Sequence, residues 1–147
     1  MRFLLDTNIV ARYGNENDPL HSVVASALEA QAASGAEPCI ASQSMYELWV
    51  VATRPIQQNG LGIEPREARA RVERAMQAFV LVPDPPDLLA RWLDVCTLHS
   101  VRGKPAHDAR LVALMLEHEI THLMTLNPAD FARHSEITCL VPGEADG

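Results

Sequence analysis

The chain has 147 residues, 48% of them hydrophobic and 21% charged, the composition of one globular domain able to close a core without staples. Its net charge of -7 and pI of about 5.3 exclude a protein that coats nucleic acid by bulk electrostatics, since that mode needs clustered Lys and Arg. A phosphodiester comes within reach only where bound cations offset the acidic residues.

Residues 2–5 (RFLL) predict a short buried strand. The stretch 17–35 predicts a helix in which Asp18 caps the start, Pro19 takes the first helical position and Gly35 ends it. Leu20, Val23, Val24, Ala27 and Leu28 fall at helical spacing on one face of it. PCIAS (38–42) gives a second strand that runs straight into a helix over 43–53. A Pro/Gly-punctuated loop over 54–63 follows. The next helix, 64–79, sets Glu67 and Arg71 in the favourable i, i+4 order, and its Arg66–Arg74 stretch reads as a solvated face. VLV (80–82) is a third strand stopped by Pro83, and 84–100 is a helix with proline near its start. A loop over 101–105 leads to a strongly apolar helix over 107–119. THLMT (121–125) is the fourth strand, 127–132 a turn or short helix, and ITCLV (137–141) the fifth strand. This alternation argues for one α/β domain over 1–141, built of βαβ units around a parallel sheet, with a disordered tail over 142–147.

Two further readings concern location. The longest unbroken apolar run, LVALML, is too short to cross a bilayer, and MRFLL ahead of Asp6 does not read as a signal peptide. The three cysteines, Cys39, Cys96 and Cys139, are scattered and odd in number, which reads as reduced, mostly buried thiols of a cytoplasmic protein.

In open parallel sheets ligands bind beyond the carboxyl ends of the strands. Asp6 directly ends the first strand, Glu47 lies in the helix after the second, and Asp108 opens the helix after the VRGKP loop. TLNPADF, after the fourth strand, carries Thr125, Asn127 and Asp130. Each has a purely structural reading. Asp6 could N-cap a short helix, and Glu47 could form a capping box with Ser44 in SMYE. Asp108 suits a helix N-terminus whatever else it does, and Asn127-Pro128 with Asp130 could be a turn. Taken jointly, carboxylates far apart in sequence converge on one rim, where they repel unless a cation joins them. Oxygen ligands with few His or Cys suit Mg²⁺ or Mn²⁺ rather than zinc. An acidic pocket holding such ions accepts a phosphate, polarises it and generates hydroxide from water. Metal-assisted phosphodiester hydrolysis is the chemistry these residue types support.

FLLDTNIV, SQSMYELWVVATRP, HDARLVA and LMTLNPADF, in that order, closely resemble the PIN-domain ribonucleases, above all VapC-type toxins of bacterial toxin–antitoxin pairs. The resemblance spans residue 2 to about 141. It implies a three-layer α/β/α sandwich with a five-stranded parallel sheet, and a Mg²⁺-dependent endoribonuclease leaving a 5′-phosphate and a 3′-hydroxyl. Asp6, Glu47 and Asp108 would hold the metal, with Asp6 the central ligand. Asn8 would orient Asp6 or a bound water, while Thr7, Ser44 and Thr125 would support the site. At the fourth family position Asn127 stands nearest, with Asp130 three residues on, and either could complete the site. An Asn ligand brings an oxygen without charge, which weakens any second cation. Arg12, Arg54, Lys104 and Arg110 are candidate contacts to the RNA backbone, each equally readable as solvated surface charge. His107 lines the cleft, and Trp49 reads as core or interface. The implied partners are the RNA substrate, a cognate antitoxin laid across the acidic groove and a second copy of the chain, with no membrane. Two rivals stand beside this reading. A non-catalytic PIN-like module binding RNA or protein is kept open by Asn127. A phosphatase with Asp6 as nucleophile usually needs Asp where this chain has Asn8.

Overall fold

The computed structural model describes residues 1–144. Its centre is β1 (Arg2–Leu5), in which Phe3, Leu4 and Leu5 are fully buried. A strand apolar on both sides can only sit inside a sheet covered on both faces. β1 is flanked by β2 (Glu37–Ala41) and β4 (His122–Met124), and the sheet is completed by β3 (Val80–Val82) and β5 (Thr138–Leu140). All pairings are parallel and the strand order is β3-β2-β1-β4-β5.

Side chains alternate across the sheet and so define two cores. Phe3, Leu5 and Ile40 face one side, with Ile9 and Val10 of α1 (Thr7–Tyr13), Val24 and Leu28 of α2 (His21–Ala33) and Met45 and Leu48 of α3 (Ser42–Thr53). Ala75 of α4 (Pro65–Ala78) closes this layer. Leu4, Cys39 and Leu123 face the other side, against Leu88 and Val95 of α5 (Leu88–Leu98) and the run Ala109 to Met115 of α6 (Pro105–Glu117). The result is the expected three-layer α/β/α sandwich.

Several boundaries differ from expectation. α2 starts at His21, because Asp18 turns its carboxylate onto the Leu20 backbone N–H at 2.8 Å and onto Arg12 at 2.8 Å. Pro19 and Leu20 therefore precede the helix, and Leu20 is exposed. Gly35 does end it: its φ of 86° lets Ala36 N–H reach back to Gln31 C=O at 3.0 Å, a Schellman closure. α5 begins only at Leu88, since Pro85 and Pro86 lie in the turn before it, whereas Pro105 opens α6 two residues ahead of His107. The helix over Arg66–Arg74 is not uniformly solvated: Arg71 is partly buried and donates to Gly14 C=O at 3.3 Å. Cys39 is buried, while Cys96 and Cys139 are only partly so, and all three are free thiols. Within the expected tail, Pro142 is buried and Glu144 N–H closes a turn onto Val141 C=O at 3.2 Å. Residues 145–147 lie outside the described residues. No helix among the described residues is long and apolar enough to cross a membrane.

Candidate active site

Strand order runs outward from β1 to β2 and β3 on one side and to β4 and β5 on the other. The carboxyl ends of β1 and β4 therefore form the topological switch point, where the crossovers diverge and leave a crevice. Leu5 pairs with Met124, so the next residues, Asp6 and Thr125, stand side by side at that point. Asp6 N–H continues the ladder onto Met124 C=O at 2.9 Å.

Asp6 is 9% exposed and N-caps α1, its Oδ1 accepting the Thr7 N–H at 2.8 Å. Its Oδ2 accepts the buried Thr125 hydroxyl at 2.8 Å and a longer bond from Asn8 Nδ2 at 3.4 Å. Asn8 is fixed from behind by Leu126 N–H at 3.3 Å, and Thr125 Oγ1 in turn accepts Asn127 N–H at 3.0 Å. Burial raises the Asp6 carboxyl above the usual range; the Thr125 and Thr7 hydrogen bonds oppose that, and the charges of Glu47 and Asp130 add to it.

Glu47 reaches the same place from α3. Its Oε2 accepts the Thr7 hydroxyl at 2.5 Å and its Oε1 accepts Gln43 Nε2 at 3.1 Å. Gln43, one helical turn earlier, was not singled out by the sequence, although its i, i+4 spacing puts it on the Glu47 face. It also donates to His107 C=O at 2.8 Å and accepts from Arg110 at 3.1 Å, tying α3 to α6. The capping box of Ser44 and Glu47 does not form. β2 passes into α3 at Ala41, so Ser44 is inside the first turn, buried and without a hydrogen-bond partner, and it does not line the groove.

Asp108 sits in the first turn of α6, where the helix N-terminus favours negative charge. Burial first, then the charges of Asp6, Asp130 and Glu47, push its carboxyl up to about 6, against a small opposing effect of His107. Asp130 belongs to the 3-10 turn Pro128–Phe131 and acts electrostatically on both Asp6 and Asp108. Asp6, Thr7, Asn8, Glu47, Asp108, Asn127 and Asp130 line one open groove of about 560 Å³.

Of the cation candidates, Arg12 and Arg54 reach this groove. Arg12 is held by Asp18, and Arg54 donates to Asn59 C=O at 3.1 Å. Lys104 and Arg110 do not line it; Lys104 is exposed just before α6, and Arg110 is committed to Asp84 at 3.0 Å and to Gln43. Trp49 is not a core residue: it is 39% exposed on α3, beside exposed Tyr46 and Val50.

Four carboxylates thus line one groove, whose two arginines are engaged by Asp18 and by Asn59 C=O, and their oxygens are hard donors without imidazole or thiolate. Such a set fits Mg²⁺ or Mn²⁺, and burial, followed by the neighbouring carboxylates, pushes Asp108 up to about 6.

Fold and groove together define an α/β protein with an acidic, cation-suited crevice at the switch point of its sheet. The chain belongs to the PIN domain family, whose model matches residues 3–137. Solved structures agree in fold. VapBC2 from Rickettsia felis bound to a DNA fragment from its promoter superposes with a TM-score of 0.73 at 14% identity, covering 96% of this chain and 98% of that one. DNA-bound VapBC from Salmonella typhimurium gives 0.71 at 16% identity, again over 96% and 98%. Mycobacterium tuberculosis VapC20, a Sarcin-Ricin loop cleaving toxin, gives 0.65 at 19% identity over 90% and 95%. Comparison with curated proteins gives no match.

Proposed function

We propose that this chain is a divalent-metal-dependent endoribonuclease and the toxin of a VapBC-type toxin–antitoxin pair. The observation that carries the reading is the meeting of Asp6, Glu47, Asp108 and Asp130 around one groove at the switch point. Membership of the PIN domain family, together with a fold shared with VapBC toxins, supports it.

Asp6, Glu47 and Asp108 would hold Mg²⁺ or Mn²⁺. When bound, the cation would polarise the scissile phosphate and lower the pKa of a water. The remaining work belongs to the chain. Thr125 and the Thr7 N–H orient Asp6, while the Thr7 hydroxyl and Gln43 orient Glu47. Asp130 completes the acidic set in preference to Asn127, because its charge bears on both Asp6 and Asp108. Arg12 and Arg54, at the groove, bring positive charge to an RNA backbone that the carboxylates alone would repel. The antitoxin, a homodimer and a cytoplasmic site of action belong to the same proposal; the toxin–antitoxin complexes among the similar structures support the first of these.

Expression of the parent and of Asp6→Asn in a bacterial host tests it. The parent halts growth and the variant, equally abundant and folded, does not; a variant as toxic as the parent refutes the assignment. Calorimetric titration with Mn²⁺ separates the non-catalytic alternative: failure of the parent to bind at millimolar metal leaves a module that binds RNA or protein without cutting.

A further inference from the structure

A second set of ligand-type side chains lies apart from the acidic groove, where the end of α5 meets the segment leading into β5. His99 is the residue that closes the C-terminus of α5, and His134 and Glu136 stand between the 3-10 turn Pro128–Phe131 and β5. None of the three lines the acidic groove. One ligand atom from each lies within 4.8 Å of the others.

The local contacts are incomplete as hydrogen bonding. His99 Nε2 is 2.8 Å from Glu136 Oε1 and 2.9 Å from Oε2. The His99 and His134 rings meet edge to face with centroids 4.9 Å apart. His134 is only 3% exposed, yet its Nδ1 is sealed from solvent without a hydrogen-bond partner. Buried polar atoms are nearly always paired, so an orphaned imidazole nitrogen beside a second imidazole and a carboxylate asks for a ligand.

We propose that His99, His134 and Glu136 form a binding site for Zn²⁺, or a divalent ion of similar borderline softness, joining the end of α5 to the approach to β5. Two imidazoles and one carboxylate are zinc's donor types, unlike the all-oxygen groove. Ligands of one tetrahedral zinc ion, each about 2.0–2.1 Å from it, stand roughly 3.3 Å apart. Closing from within 4.8 Å to that spacing calls for rotation of side chains. The ion replaces the hydrogen bond between His99 and Glu136 and gives the His134 ring its missing partner. Side chains of His99 and Glu136 are 13% and 24% exposed, which leaves a path for entry and for a water as fourth ligand. The same segment carries Asp130 into the acidic groove, so zinc here pins its far end. The proposal stands independently of the nuclease reading.

The test is zinc calorimetry on metal-free protein in excess Mg²⁺, for the parent, Asp6→Asn and His99→Gln. His99 is used because it sits at a helix end, where a change is compatible with folding. The parent and Asp6→Asn bind one Zn²⁺ and melt at higher temperature with it, as for any ligand of the folded state; His99→Gln loses about 10- to 100-fold or more in affinity. Parent protein loaded with Co²⁺ shows the intense visible bands of four-coordinate nitrogen and oxygen ligation, a readout that needs no variant. Zinc binding that survives His99→Gln, disappears in Asp6→Asn, or gives only the weak bands of six-coordinate Co²⁺ overturns the site.

Discussion

Asp6 divides its two oxygens between tasks: Oδ1 closes the start of α1, and Oδ2 is held by Thr125. The two local readings of this residue, helix cap and groove carboxylate, are therefore compatible, because the oxygens point to different partners. Thr125→Val keeps the shape and removes the hydroxyl, which leaves Asp6 more weakly oriented and its carboxyl higher still. Mn²⁺ affinity measured by calorimetry should fall about 10- to 100-fold, as for loss of other partners that orient a metal ligand; unchanged affinity would show that Thr125 serves packing alone. Asp108 carries a second expectation. Its folded value, about 6, lies above the ordinary 3.8, so between those values the metal-free folded chain binds more protons than the unfolded one. Its contribution to stability is thus lost as pH rises through about 6. In urea titrations without metal, Asp108→Asn should be more stable than the parent at pH 7, with the gap closing toward pH 4; a gap independent of pH contradicts this. The Asp, Glu and Thr types of the groove were legible as residues. Gln43 was not, because a glutamine on an apolar helix shows no sign of what it bridges.

At the scale of elements, the site depends on β1 as a rigid support. Leu4 is fully buried against α6 and Leu5 against the opposite layer. Leu4→Ala should cost about 2–5 kcal/mol in chemical denaturation, for lost transfer plus the residual cavity, and a loss well below 1 kcal/mol would mean the site collapses readily around the gap. The loop after α3 makes a different demand. A side chain on Gly60 would place its Cβ 1.9 Å from the Arg54 carbonyl oxygen, so that turn must shift to admit one. Gly60→Ala should therefore displace Arg54 and raise KM for RNA several-fold while kcat changes little; equal losses in both would put Arg54 outside substrate binding. Element order and type followed from periodicity and from Pro and Gly punctuation. Starts were harder to read, since they depend on competition for side-chain oxygens. Asp18 chose Arg12 and the Leu20 N–H over the helix, and SMYE matched a capping box in letters while β2 ran straight into α3 and left Ser44 interior.

For the whole molecule, alternation of strand and helix predicts a parallel sheet but not which strand lies at its centre. The order β3-β2-β1-β4-β5 arises from pairings distant in sequence, and it turns four separate carboxylates into one crevice. Adjacency along the chain to Asp108 does not by itself place Lys104 or Arg110 on the groove's lining, and Arg110 is bonded to Asp84 and Gln43. With a net charge of -7 and, of the cation candidates, only Arg12 and Arg54 at the groove, repulsion of a polyanion is what the proposed cation would offset. The proposed activity is cleavage of RNA at the acidic groove with such a cation. Its most direct measurement is cleavage of single-stranded RNA by the purified parent and by Asp6→Asn, each in Mg²⁺ and in excess chelator. The parent in Mg²⁺ alone should give cut RNA with 5′-phosphate ends, and Asp6→Asn should cut at least 100-fold more slowly, ~3 kcal/mol in the barrier. Cleavage that persists in chelator, or that Asp6→Asn retains, would contradict it.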